Sequence, residues 1–304
     1  VKGGVVATAR DLNFVYTTID RLFRLSIGEQ ADFSGAMYDG DFTLSLEAAQ
    51  RRKHEFVADR LGVVAGTRVL DLGCGWGPFL EFVRRRGAAG VGVTLSSGQA
   101  AACRRHGLDV HVMDCRAVTR DTFGGFDAVA SLGAFEHFCS REEFAAGRQE
   151  QIYADLFKSV RTLLPAGGRF YLQTMVFGRN MIPPEQMSLD APRLSDAHVL
   201  ALLQATFPGS WLPSGLEQLV RTAAPGFRMT YSSSGRLDYI ETIRQWQRRF
   251  GEFGFRKLAV KLTLLPQYLT SKDFRNAFTS GISANTICFE RELLDHFRIV
   301  FEAV

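Results

Sequence analysis

The chain has 304 residues, 46% of them hydrophobic and 22% charged, with a net charge of +4 at neutral pH. This balance supports a substantial core in one large domain or two ordinary ones and excludes disorder as a description of the whole chain. No apolar run approaches the roughly 18 residues of a membrane span, and the short basic runs at 84–86 and 248–249 read as solvated helix faces, so no nucleic-acid partner is expected.

Residues 1–60 are helical in pattern. Leu12, Val15, Tyr16, Ile19, Leu22 and Phe23 recur at helical spacing. After a polar stretch at 28–32, Thr43 is the expected N-cap of a second helix, which carries Leu44, Leu46, Ala49 and Val57 and ends near Gly62. From residue 66 the pattern changes to short apolar strands alternating with helices. Strands are expected at 68–72, 91–95, 110–113, 126–131 and 169–175, with helices at 78–86, from Ser96 as N-cap through Arg105, and at 144–164. Such alternation predicts a parallel sheet covered on both faces. Two helical stretches at 196–206 and 214–223 follow, then a sixth strand at 227–232, a mainly helical region at 236–290 and a closing strand at 297–303. The predicted class is therefore α/β. A helical segment over 1–60 is expected to cover the cofactor and substrate site of a domain at 61–304, with insertions near 178–222 and 236–290 forming a lid.

The cysteines, Cys74, Cys103, Cys115, Cys139 and Cys288, are odd in number and include no C-x-x-C pair. Neither a disulfide framework nor a metal site is expected. The chain begins Val1-Lys2-Gly3-Gly4 with no apolar segment of signal-peptide type. A reducing cytoplasm is the expected setting.

The sharpest local signal is Val69-Leu70-Asp71-Leu72-Gly73-Cys74-Gly75-Trp76-Gly77. A strand ends near Asp71, and Gly73, Gly75 and Gly77 then permit a tight turn and close approach of a ligand to the backbone. An empty β–α turn is the plainer reading of such glycines, but Asp71 adds information. A carboxylate two residues before the first glycine repels pyrophosphate and attracts an ammonium. That points to S-adenosylmethionine, which has an ammonium and a sulfonium and no phosphate. The second strand ends in Gly92-Val93-Thr94-Leu95-Ser96-Ser97-Gly98-Gln99 without the usual ribose-binding acid, so Thr94 and Gln99 are the candidates for the ribose hydroxyls. Trp76 is expected to pack beside the cofactor loop.

These segments, together with Phe33-Ser34-Gly35-Ala36-Met37-Tyr38, the stretch from Thr43 to Lys53, Ser131-Leu132-Gly133-Ala134-Phe135-Glu136-His137-Phe138 and Phe207-Pro208-Gly209, resemble the cyclopropane-fatty-acid synthases and mycolic-acid methyltransferases. The resemblance covers nearly the whole chain. It implies a class I, Rossmann-like methyltransferase sheet of seven strands with a helical lid over an acyl-chain channel. It also implies that Phe33, Ser34, the glycine loop, Thr94, Leu95, Ser96, Gln99, Cys115, Arg116 and Leu132 line the cofactor site. The Cys115-Arg116 pair departs from the aromatic and acid that family members often carry there.

An isolated alkene is a poor nucleophile, and its methylation leaves a carbocation. The family's enzymes place a bicarbonate beside that cation, held by a Cys, a Glu, a His, a Tyr and a backbone group. Matched motif to motif, the Glu is Glu136, the Tyr is Tyr239 and the backbone group is Leu132. Gly35 stands at the Cys position and Gln173 at the His position. Gln173 can still hydrogen-bond an anion, whereas Gly35 is expected to leave a void for substrate or water. Glu136 is then the candidate for acting directly as the base.

Each of these residues has a plainer reading. Glu136 can cap a helix, His137 reads first as a structural histidine, Tyr239 can be a simple lid residue, and most of the 25 Phe residues belong to the core. The stretch from Ile243 to Leu269 mixes aromatic, Leu, Arg and Lys residues. It is either an interfacial surface for lipid or an acyl carrier, or, as the favoured reading, a lid helix whose apolar face covers the active site.

The expected activity is S-adenosylmethionine-dependent C-methylation of a carbon–carbon double bond in an unsaturated fatty-acyl chain. An isoprenoid or specialised metabolite is the alternative substrate. A cofactor-binding subunit without catalysis is a third reading, against which the retained cofactor motifs and Glu136 argue.

Overall fold

The computed structural model describes residues 27–28, 31–207, 209–270 and 284–304. The helix expected around Leu12 to Phe23 lies outside these residues, as do Pro208 and part of the second insertion. In chain order the described elements are α1 (Leu46–Leu61), β1 (Arg68–Leu72), α2 (Pro78–Arg85), β2 (Ala89–Thr94), α3 (Ser97–Arg105), β3 (Asp109–Val112) and α4 (Arg120–Phe123). Then come β4 (Ala128–Leu132), α5 (Arg141–Ala145), α6 (Gln149–Leu163), β5 (Arg169–Phe177), α7 (Asp196–Thr206) and α8 (Leu216–Ala223). β6 (Phe227–Ser234), α9 (Arg236–Gly251), α10 (Phe255–Thr270) and β7 (Leu294–Ala303) follow.

Local chemistry explains most boundaries and corrects two. Ser96 caps α3 as expected, accepting from the Gln99 amide. The cap of α1 is Ser45 rather than Thr43, because the Thr43 hydroxyl donates to Asp41 and so closes a turn ahead of the helix. Gly62 ends α1 in the left-handed conformation. The single helix expected at 144–164 is two helices, because Gly147 takes φ 70° and ends the first turn region before α6 begins.

The seven strands form one sheet in the order β3-β2-β1-β4-β5-β7-β6. Strands β1 to β5 are parallel, as the alternation predicts, and β6 and β7 complete a mixed sheet. β7 inserts between β5 and β6 and runs antiparallel to both. Its residues are buried along nearly the whole strand, which suits a central place, while β6 carries exposed Arg228, Met229 and Thr230 and suits an edge. This reversal brings the start of β7 to the sheet edge where β1, β4 and β5 end.

Both faces of the sheet are covered. Phe135, Phe157, Phe170, Phe227 and Phe301 pack on one face with α6 and α8, so these phenylalanines are core, as the plainer reading held. Val57, Val69, Phe79, Tyr171 and Val300 fill the other face. A third cluster, including Tyr38, Tyr239, Trp246 and Phe289, lies over the edge formed by the strand ends. α9 buries Tyr239, Ile240, Ile243 and Trp246, whereas α10 exposes Leu258, Leu262, Leu265 and Leu269. No helix among the described residues is long and apolar enough to cross a membrane.

Candidate active site

Two close approaches assemble the site at the ends of β1 and β4. A Cβ on Gly73 would fall 2.2 Å from Ala134 Cβ, so the glycine loop packs directly on the turn after β4. A Cβ on Gly133, in the same turn, would lie 3.3 Å from Ser34 Cβ, which places the 31–39 segment as a strap across it. Gly75, at φ 54°, differs: among the described residues, its chain neighbours aside, no heavy atom lies within 4 Å of where its Cβ would be. Gly73 therefore serves packing, and Gly75 keeps space open in front of the loop.

Asp71 lies beneath this loop, 2% exposed, with Oδ1 lacking a hydrogen-bond partner among the described residues. Burial and the neighbouring Asp32 push its carboxyl up to about 7, against the pull of Lys53. A buried, unpaired carboxylate beside an open glycine turn fits a ligand ammonium, as S-adenosylmethionine carries. Trp76 Nε1 is a second buried group without a partner among the described residues. At the end of β2, Thr94 donates to Gln99 Oε1 at 2.7 Å and accepts from the Ser96 amide at 3.2 Å. The Thr94 hydroxyl is thus used within the loop, and the Gln99 amide nitrogen is the group left to meet a ribose. Leu95 is exposed.

Cys115 and Arg116 point elsewhere. The Cys115 side chain joins the core, and burial pushes its thiol up to about 12. Arg116 pairs with Asp114 at 2.7 Å and reaches Glu143 at 3.6 Å, tying the turn after β3 to α5.

The strap is held by buried polar groups. Asp32 bonds Lys53, lies 3.0 Å from His54 Nε2, and accepts from Ser34 Oγ at 2.8 Å. Burial raises the Asp32 carboxyl, but Lys53 and His54 outweigh it and hold the group well below its usual range. Ser34 is thereby committed to this cluster, while half-exposed Phe33 stacks on Trp246 at 5.0 Å. Further along, Gln173 donates to the Gly35 carbonyl at 2.9 Å, Arg298 to the Ala36 carbonyl at 2.9 Å, and Asp238 accepts from the Asp39 amide at 3.0 Å. Arg298 and Asp238 also form a buried ion pair at 2.7 Å.

Glu136 is 3% exposed in a short turn after β4. Its Oε1 accepts from the Met175 amide at 2.7 Å, and Oε2 has no hydrogen-bond partner among the described residues. Burial pushes the carboxyl up to about 7, opposed by the Met175 amide, its own amide and the nearby Thr174 hydroxyl. Leu132 and Gln173 are paired across β4 and β5, beside this group. His137 next to it is structural: Nδ1 is 2.7 Å from Ser210 Oγ, and burial lowers the ring to about 4.

The void expected at Gly35 is closed. A Cβ there would lie 2.9 Å from both His296 Cε1 and Tyr239 Cδ2, because these two rings, stacked at 4.8 Å, already fill the space. Gln173 turns its amide nitrogen to Gly35 and keeps Oε1, an acceptor, unpaired among the described residues. An anion would therefore meet the acceptor oxygen of Gln173 where the family has a histidine, and two ring edges where it has a cysteine. The residues present do not fit bicarbonate.

Sequence reasoning missed Asp32, His54, Asp238, His296 and Arg298, and assigned no role to Lys53. For Lys53 a signal existed: it shares the buried face of α1 with Leu46, Ala49 and Val57 at helical spacing. For His296 there was none.

A sheet of this order, with a buried carboxylate and glycine turn after its first strand, defines the class I methyltransferase fold. The chain belongs to the mycolic acid cyclopropane synthetase family, whose model matches residues 6–292. It is 30% identical over 244 residues to the hydroxymycolate synthase of Mycobacterium tuberculosis, covering 78% of this chain and 76% of that protein. It is also 30% identical over 241 residues to cyclopropane mycolic acid synthase 3 of the same organism, covering 76% and 78%. A solved mycolic acid cyclopropane synthase, complexed with SAH and CTAB, superposes with a TM-score of 0.76 at 23% identity over 98% of this chain and 99% of that one. Membership in this family makes the chain an enzyme, an S-adenosylmethionine-dependent methyltransferase.

Proposed function

We propose that the enzyme methylates a carbon–carbon double bond of an apolar substrate, with an unsaturated fatty-acyl chain as the substrate class. The observation that carries this reading is Glu136: a buried carboxyl at the sheet edge, held through one oxygen and unpaired at the other among the described residues.

S-adenosylmethionine supplies an electrophilic methyl group on a sulfonium that departs as a neutral thioether. Asp71 binds its ammonium, the turn at Gly73 to Gly77 lets its amino-acid end approach the backbone, and Gln99 meets the ribose. Phe33, Ser34, Trp76, Leu95, Ser96, Leu132 and the Cys115-Arg116 backbone complete the surrounding wall. The alkene's π pair forms the new carbon–carbon bond, leaving a cation on the neighbouring carbon. Glu136 takes the proton that this cation loses, from an adjacent carbon to give an alkene or from the transferred methyl to close a ring. Its raised pKa suits a base working near neutrality. Tyr239 and Gln173 assist at the same reaction centre, and the burial of Glu136 excludes water from the cation.

An isoprenoid or other specialised alkene is the second reading, favoured by Gly35 and Gln173, which remove two ligands of the family's anion site. Exposed Phe255, Leu258, Leu262, Leu265 and Leu269 recur at helical spacing, which supports a peripheral contact of α10 with lipid or an acyl carrier. Five free, buried cysteines support a cytoplasmic setting. The test is incubation with methyl-labelled S-adenosylmethionine and a cell lipid extract, followed by mass analysis of every labelled product. Label in fatty-acyl chains supports the first reading, label in isoprenoids the second, and label confined to nitrogen or oxygen atoms refutes both.

A further inference from the structure

Arg141, the first residue of α5, lines a cleft of about 240 Å³ with Met187, Leu189 and, from α7, Ala201, Gln204 and Ala205. The wall is apolar except for the Arg141 guanidinium and the Gln204 amide. Neither group has an ion pair or a hydrogen bond among the described residues. The carboxylates beside Arg141 leave it uncompensated. Glu143 accepts from the Ser140 amide at 2.8 Å and faces Arg116 at 3.6 Å, while Glu142 is exposed and makes no ion pair among the described residues. Other arginines near these helices do meet carboxylates: Arg116 meets Asp114, and Arg291 meets Asp196 at the start of α7.

The cleft adjoins the apolar cluster that lies over the strand ends. Met187 in its wall packs against that cluster. Phe144, one turn along α5 from Arg141, packs against the same cluster and stacks on Trp211 at 4.4 Å. Arg141 follows Glu136 by five residues, a length of chain that spans at most about 18 Å. An acyl chain can cover such a distance with its double bond at Glu136 and its head at Arg141. Local stability does not explain the cation, because a positive charge in the first turn of a helix opposes the helix dipole. A guanidinium fork matches the paired oxygens of a carboxylate or phosphate, and an apolar wall with a few converging polar groups is the usual form of a small-molecule site.

We propose that the Arg141 cleft is a subsite for an anionic head group on the substrate. Arg141 takes the charge, Gln204 donates a further hydrogen bond, and Met187 and Leu189 receive the first carbons of the chain. The inference rests on the acyl-chain reading above and narrows it to a chain that carries a carboxylate or a phosphate at its head.

Calorimetric titration of the full chain with laurate, dodecyl phosphate and uncharged dodecanol tests this. The wild type should bind at least one anion more tightly than dodecanol, and the preferred anion identifies the head as carboxylate or phosphate. Arg141→Met should weaken that anion by about tenfold to a hundredfold, the worth of a hydrogen bond to a charged group, while dodecanol changes by about twofold at most. Arg141→Lys, which keeps the charge without the fork, should recover part of the loss. Anions bound no better than dodecanol, or bound equally well by Arg141→Met, would overturn the proposal. Turnover of unsaturated acyl chains separates it from the reading it rests on. Anion binding that needs Arg141, in an enzyme that leaves acyl chains unlabelled, upholds the cleft and refutes that substrate. Labelled acyl chains with binding indifferent to Arg141 uphold the substrate and remove the cleft.

Discussion

The amide of Met175 donates to Glu136 Oε1 at 2.7 Å, which fixes one carboxyl oxygen and leaves the other buried without a hydrogen-bond partner among the described residues. A carboxyl so held cannot swing away to find water. It either accepts a proton from a ligand or stays neutral, and its pKa of about 7 leaves both states accessible at physiological pH.

Glu136→Gln should therefore lower turnover by about 10²–10⁴, the usual worth of a positioned base, while cofactor affinity changes little. In the wild type, turnover should rise with pH and level off above about 7, as the carboxylate form fills. The limb should vanish in the variant. Single-turnover rates across pH check both points, and a variant with near-normal turnover would make this carboxyl structural.

Asp71 ties cofactor binding to pH. Its folded pKa of about 7 lies above the ordinary carboxylate value of 3.8, so the fold favours its protonated form. That contribution to stability is complete below the unfolded value and is lost as pH rises through about 7. A bound ammonium reverses the preference. Cofactor affinity should thus fall by up to about tenfold for each pH unit below 7, and Asp71→Asn should abolish this dependence while weakening binding. Calorimetric titrations at pH 5.5 and 8 decide it; equal affinities would place the ammonium elsewhere.

Gly75→Val tests the open space before the loop. Any side chain at φ 54° carries left-handed strain of roughly 1–2 kcal/mol, which Gly75→Ala isolates. Valine adds bulk where, chain neighbours aside, no atom of the described residues lies within 4 Å. The two variants should melt similarly, but Val should cost far more cofactor affinity. Unchanged affinity in Gly75→Val would remove the glycine loop from the site.

Gly35→Cys should not restore an anion site. Its Cβ would press on His296 and Tyr239 at 2.9 Å, an overpacking that costs about 1–3 kcal/mol. The measurable outcomes are a lower melting temperature in Gly35→Cys and a wild-type rate indifferent to added bicarbonate. Acceleration by bicarbonate would show that Glu136 and Gln173 admit an anion after all.

Legibility followed the range of the interactions. Ser96 as a cap, Gly62 as a helix stop and the turn at Gly73 to Gly77 are decided within a few residues, and all were readable. Thr43 was misread because Asp41, two residues away, competes for its hydroxyl. The break at Gly147 was missed because apolar periodicity continues through it, while the glycine's left-handed turn ends α5. The void at Gly35 was inferred from one missing side chain, and β7 and α9 fill it with His296 and Tyr239.

The sequence by itself determined the alternating α/β plan, the glycine loop with its buried acid, the candidate base after the fourth strand and the resemblance that family membership confirms. These rest on local periodicity, turn chemistry and contiguous motifs. Only the tertiary structure decided what surrounds the candidate base. β7 enters antiparallel between β5 and β6, and that register sets His296 opposite Met175 and Arg298 opposite Gln173. The strap from Asp32 to Asp39 is likewise held by Lys53, Asp238 and Arg298, from three different elements. Such pairings are chosen by how whole strands and helices bury their faces together, and no short stretch of sequence carries that choice.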